Sequence, residues 1–180
     1  MEARIRILAW AGLGLMLTLA AGCSVRPMLA EQSAQVAGEQ LPAALDSVSV
    51  EPVSTRYAQE VRNHLIFLLH GGKARPQAPR YTLVLDVTRN VSSAAQIQSG
   101  GENEPTAGMV TLTARYSLTD AQSGQPVASG NQRVSAAFDR PRQEFAVVRA
   151  QRDAEDRAAR ELASFIHLAL GQDLARLDGR

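Results

Sequence analysis

The sequence predicts an α+β fold, a two-layer α/β sandwich in which two helices lie on one face of a four-stranded mixed sheet in the order β-α-β-β-β-α. Three observations predict it. Val110, Leu112, Ala114, Tyr116 and Leu118 alternate with Thr111, Thr113, Arg115, Ser117 and Thr119, the period of two of a half-buried antiparallel strand. Tyr57, Val61, Leu65, Leu68 and Leu69 fall at helical spacing, ahead of Gly71-Gly72. A second helical pattern closes the chain, with Ala154, Ala158, Leu162, Phe165, Ile166 and Ala169 on one side.

The elements follow in order. Ser47 to Val53 reads as a short strand, Val48 and Val50 alternating with polar neighbours until Pro52 ends the pattern. Ser54 or Thr55 then caps the first helix, and the glycine pair stops it. After Pro76 and Pro79, Tyr81, Leu83, Leu85 and Val87 alternate with Thr82, Asp86 and Thr88, giving a second strand with one apolar face. Gly100 to Gly108 reads as a polar loop before the third strand. Asp120 to Gln125, with Ser123-Gly124, makes a hairpin into a fourth strand from Val127 to Phe138, with a bulge expected at Gly130. The last helix starts near Glu144 and runs to Leu170 or beyond, with i,i+4 pairs Asp153/Arg157 and Asp156/Arg160 on a solvated face spanning Arg149 to Glu161. A right-handed crossover places the first helix on the face that the last one also covers. Thr82, Asp86, Thr88, Thr111, Thr113, Arg115 and Ser117 then lie on the opposite, helix-free face.

The chain opens differently. Arg4 and Arg6 precede an uncharged run from Ile7 to Cys23 that ends in the small-residue box Ala20, Ala21 and Gly22, with Cys23 the single cysteine of the 180 residues. A basic n-region, an apolar h-region and a cleavage box make residues 1–22 a lipoprotein signal peptide. The uncharged stretch is 17 residues, short of the ~20 that cross a bilayer core. Cys23 is then the acylated N-terminus, and two or three acyl chains at roughly 0.8 kcal/mol per buried methylene anchor a domain stably. Residues 23–45 are expected to form the lipidated end and a flexible tether, and residues 46–180 one α/β domain. Aspartate directly after such a cysteine favours inner-membrane retention; Ser24 therefore points to the outer membrane.

Composition excludes several classes. Removing Arg4 and Arg6 from 19 basic residues and Glu2 and none other from 18 acidic ones leaves equal numbers, so no global field gathers nucleic acid. Nothing beyond Cys23 can form an internal disulfide or a thiolate metal site. His64, His70 and His167 lack metal-ligand spacing and read as boundary or surface residues. Gly71-Gly72-Lys73 follows a helix instead of opening one and is no phosphate loop, and Ser123-Gly124 and Ser129-Gly130 lack a nucleophile elbow. The expectation is a protein that is not an enzyme and has neither cofactor nor metal.

The lipoprotein signal, the helix Arg56-Tyr57-Ala58-Gln59-Glu60-Val61-Arg62-Asn63-His64-Leu65, the strand Tyr81-Thr82-Leu83-Val84-Leu85, the segment Leu112 to Asp120 followed by Gly124 and Val127, and a final helix with Phe145-Ala146, Asp153 to Ala158 and Glu161-Leu162-Ala163 resemble, in that order, the LPS-assembly lipoprotein LptE family in its alphaproteobacterial form. The fourth strand departs from the family pattern, ending Ser135-Ala136-Ala137-Phe138-Asp139. The resemblance implies an outer-membrane lipoprotein facing the periplasm, which plugs the β-barrel LptD in a heterodimer and assists assembly of lipopolysaccharide into the outer leaflet. On that footing Thr111, Thr113, Arg115 and Ser117 are expected to face the barrel. Arg89, Arg133, Arg140 and Arg142, near predicted strand ends, are candidates to meet lipopolysaccharide phosphates. The alternative is an auxiliary lipoprotein of an ABC-type lipid or solvent transport system, distinguished by which partner co-purifies.

Overall fold

The computed structural model describes residues 40–96 and 105–178. The expected signal peptide, with its box Ala20, Ala21 and Gly22, and the expected acceptor Cys23 lie outside them. Helix α1 (Gln40–Asp46) leads into strand β1 (Val48–Val50), then come helix α2 (Arg56–His70), strands β2 (Tyr81–Gln96), β3 (Pro105–Asp120) and β4 (Pro126–Asp139), and helix α3 (Glu144–Asp178). The sheet order is β1-β2-β3-β4, with β1 parallel to β2 and the other two pairs antiparallel. This is the expected mixed four-stranded sheet with two long helices.

Strand alternation sets the layers. Leu83 pairs with Leu118, Leu85 with Tyr116 and Val87 with Ala114, while Leu112 pairs with Val134 and Gly108 with Phe138. All but Gly108 belong to one core, to which α2 adds Ala58, Val61, Leu65 and Leu69, and α3 adds Ala154, Ala158, Ala159, Leu162, Ala163, Ile166, Leu170 and Leu174. Each of the larger side chains is worth about 1.5–3 kcal/mol on burial. The alanine-rich stripe of α3 lets its axis approach both α2 and the strands, against which it packs.

Capping matches the sequence. Thr55 is the N-cap of α2, its hydroxyl accepting from Ala58 N–H at 3.4 Å, and Gly71 ends the helix at φ 57°, its N–H donating to Phe67. At the hairpin between β3 and β4, Asp120 Oδ1 accepts from the Gln122 and Ser123 amides and the Ser123 hydroxyl, which holds its carboxyl below the usual range.

Several expectations are corrected. Residues 40–45, expected within the tether, are helical: Leu41, Ala44 and Leu45 sit at i, i+3 and i+4 and reach the core, and Pro42 falls in the first turn, where its missing N–H leaves no bond unmade. β2 and β3 are longer than their apolar alternation, because the ladder continues through polar residues of β2 such as Asn90 and Ser92, which pair with Thr111 and Met109. Gly130 is not a bulge. It pairs regularly with Tyr116, and the register shift lies between Leu118 and Thr119. Glycine is needed there because a Cβ would stand 2.5 Å from the Tyr116 ring; Gly108 is likewise covered by Phe138, at 2.4 Å. Leu68 and Phe165, expected on core stripes, are 39% and 41% exposed, and His70 is buried.

Candidate functional site

The helix-free face of the sheet is built by the residues that alternate with the core. β2 contributes Thr82, Val84, Asp86, Thr88 and Asn90; β3 contributes Thr111, Thr113, Arg115 and Ser117; β4 contributes Ser129, Asn131, Arg133 and Ser135. Thr111, Thr113, Arg115 and Ser117 therefore stand together on one strand and on one face, as the sequence pattern requires. Rows cross the sheet in register: Asp86, Arg115 and Asn131; Thr88, Thr113 and Arg133; Asn90, Thr111 and Ser135.

The face is polar but internally tied. Thr111 and Ser135 hydroxyls lie 2.8 Å apart, Arg133 Nε donates to Thr113 Oγ1 at 3.3 Å, and Thr88 and Thr119 hydroxyls donate to the carbonyls of Thr113 and Thr82. Short β-branched hydroxyl residues keep this surface flat and satisfied on a pleated sheet. Arg115 is exposed, facing Asp86 in register. Val84, 49% exposed, is the large apolar exception.

The four candidate arginines do not form one site. Arg89 lies within β2, not at its end, and on the helix side, where its Nη1 donates to Glu155 Oε1 at 2.6 Å and its guanidinium stands 5.4 Å from the centre of the Tyr57 ring. Arg133 occupies the opposite face, in the middle of β4. Arg140 and Arg142 are exposed in the connection from β4 to α3.

Sequence reasoning missed the cluster that holds Arg89. Glu155 is 3% exposed and accepts from Arg89, from Gln151 Nε2 at 3.0 Å and from Arg56 Nη2 at 3.2 Å, while Arg56 Nη1 donates to Asp156 at 3.0 Å. Burial opposes ionisation of Glu155, but the hydrogen bonds from Gln151 and Arg89, the Arg89 charge and the Arg56 hydrogen bond outweigh it and hold the carboxyl below its usual value. Asp156 thus pairs with Arg56 rather than Arg160, whereas the expected Asp153/Arg157 pair forms at 3.0 Å. A signal was present: Glu155 stands at core spacing with Ala159 and Leu162, so it points inward from a segment that reads as solvated.

Among the described residues no group of three His, Cys, Asp or Glu side chains is placed to hold a metal ion, and no helix is long and apolar enough to cross a membrane. The geometry offers a broad polar face.

The family model for LptE, described as lipopolysaccharide-assembly, matches residues 45–170. This chain belongs to the LptE family. Its match begins in α1 and ends in α3, so it takes in the whole sheet. Among solved structures, the chain is similar to a candidate lipoprotein from Caulobacter crescentus CB15, at 26% identity and TM-score 0.62, over 76% of this chain and 97% of that one. The rare lipoprotein B of Shewanella oneidensis shares the fold at 13% identity and TM-score 0.54, over 73% of this chain and 96% of that one. No curated protein matches the chain. Membership in the LptE family gives it a role in lipopolysaccharide assembly within a family of non-catalytic lipoproteins.

Proposed function

We propose that this LptE-family chain is anchored to the outer membrane by acyl groups on Cys23, faces the periplasm, and fills the lumen of the β-barrel LptD with the helix-free face of its sheet, assisting assembly of lipopolysaccharide into the outer leaflet. The observation that carries the reading is the face itself: three long strands present Thr, Ser, Asn, Asp and Arg in register. The lumen of a large barrel is polar and wet, so a flat, hydrogen-bonded polar sheet fits it without burying apolar surface against polar walls. The two long helices pack on the other face, and among the described residues no helix covers this one.

Arg133, Arg140 and Arg142 are the arginines assigned to lipid phosphates, which the guanidinium fork pairs bidentately. Arg89 is set aside as a scaffold residue by its bond to Glu155.

The test is affinity purification of the acylated chain from detergent-solubilised outer membrane, with identification of the co-purifying barrel. Thr113→Trp combined with Ser117→Glu is expected to reduce recovered barrel while the circular dichroism of the variant stays unchanged. Full retention of the complex would overturn the assignment of the face. Unchanged lipopolysaccharide binding after Arg133, Arg140 and Arg142 are all replaced by Ala would remove the phosphate role.

A further inference from the structure

Among the described residues, strand β2 is an inner strand for three residues and an edge strand for the rest. β1 pairs with it only at Val48 with Tyr81, Ser49 with Thr82 and Val50 with Leu83. The Glu51 amide then donates to the Leu83 carbonyl at 2.9 Å, and Pro52, which has no N–H to offer, leads the chain away to α2. That last bond fixes the polarity of the strand. The Leu83 carbonyl points toward β1, so the alternate residues Leu85, Val87, Arg89 and Val91 aim their N–H and C=O groups away from β3. Among the described residues no strand pairs with them on that side.

This row of main-chain donors and acceptors borders an open groove of about 480 Å³, walled by Leu85, Asp86 and Val87 on one side and by Pro52 to Thr55 and Ala58 on the other. The neighbouring edges carry guards. Arg62 donates to the carbonyls of Val50 and Glu51 at the end of β1, and Arg157 donates to the Ala137 carbonyl near the end of β4. The β2 edge has its one cationic side chain, Arg89, drawn inward onto Glu155 and Tyr57. Natural sheets ordinarily blunt such an edge with charge, proline or cover.

We propose that an extended segment of the barrel partner adds to the sheet here as a further strand, continuing the line that β1 leaves at Pro52 and bonding the outward groups of Leu85, Val87 and Arg89. The inference rests on the partnership proposed above. Its occupant follows from chemistry and continuity: evenly spaced N–H and C=O groups are satisfied in register only by another extended backbone, and β2 also supplies Asp86 and Thr88 to the face assigned to the barrel. The segment places small apolar residues toward Val53 and Ala58 and polar ones toward the barrel side.

The experiment uses the full acylated chain carrying a benzophenone amino acid at Ser54, on the exposed rim of the groove, purified with its barrel. The expected result is a covalent adduct to one extended stretch of the barrel polypeptide. Amide exchange at Leu85 and Val87 is expected to slow at least about tenfold in the complex relative to the free chain, and this protection is expected to vanish in Ser54→Trp, which fills the groove from outside the sheet. An adduct only to a second copy or within the same chain, or unslowed exchange in a complex that contains the barrel, overturns strand addition and leaves the partnership standing. Absence of any barrel from wild-type preparations overturns both.

Discussion

Replacing Glu155 tests whether the buried ion cluster holds α2, α3 and β2 together. In Glu155→Ala, Arg89, Arg56 and Gln151 each lose an acceptor, at 2.6, 3.2 and 3.0 Å. Breaking a buried ion pair costs about 3–5 kcal/mol when the remaining charge is stranded. Here the arginine side chains are 38% and 46% exposed, so water reaches them, and Arg56 keeps Asp156; the expected loss is discounted to about 2–3 kcal/mol. Glu155→Gln keeps the shape and some hydrogen bonds, and about half that loss is expected. The assay is urea unfolding followed by circular dichroism, with the slope checked for constancy. The pH dependence has a definite sign. A carboxyl whose folded value lies below its unfolded value of about 4.3 stabilises the fold fully above that value and progressively less as pH falls through the folded one. The gap between wild type and Glu155→Ala is therefore expected to be constant near neutrality and to narrow below about pH 4. A Glu155→Ala protein within about 0.5 kcal/mol of wild type, or a gap that widens in acid, would refute the reasoning.

Three further outcomes centre on Tyr116. Gly130→Ala puts a Cβ 2.5 Å from the Tyr116 ring, which must shift and strain its contacts; a loss of about 1–3 kcal/mol is expected, and Gly130→Ala combined with Tyr116→Leu should recover part of it in the same unfolding assay. Tyr116→Phe removes the hydroxyl that donates to Asp173 at 2.8 Å and ties the end of α3 to the sheet, with an expected loss of about 1.5–3 kcal/mol for a bond to a charged acceptor. Burial first, then the Asp173 hydrogen bond and charge, push the Tyr116 phenol above its usual value, so spectrophotometric titration should find a late-ionising tyrosine that is lost in Tyr116→Phe.

The parts of the fold that could be read in the sequence are those governed by local period. The alternation of Val110 to Leu118 names both the buried and the open residues of β3, and Thr55 and Gly71 bound α2 by capping chemistry that acts within four residues. For the same reason Thr111, Thr113, Arg115 and Ser117 could be placed on one face before any strand partner was known. Where the period fails, so did the reading. The polar ends of β2 and β3 are strands because they pair with each other, not because their residues alternate in polarity.

The amino-acid sequence by itself determined the layer order and which side of each strand meets the helices, since both depend on spacing along the chain. Tertiary structure alone decided that α1 belongs to the core, that Gly130 serves the Tyr116 ring, that Arg89 turns inward to Glu155, and that among the described residues β2 has no strand partner on its β1 side beyond Leu83. These depend on groups far apart in the chain, 66 residues for Arg89 and Glu155. Such contacts exist only once the elements have packed, when burial makes an unpaired charge or a missing backbone partner costly.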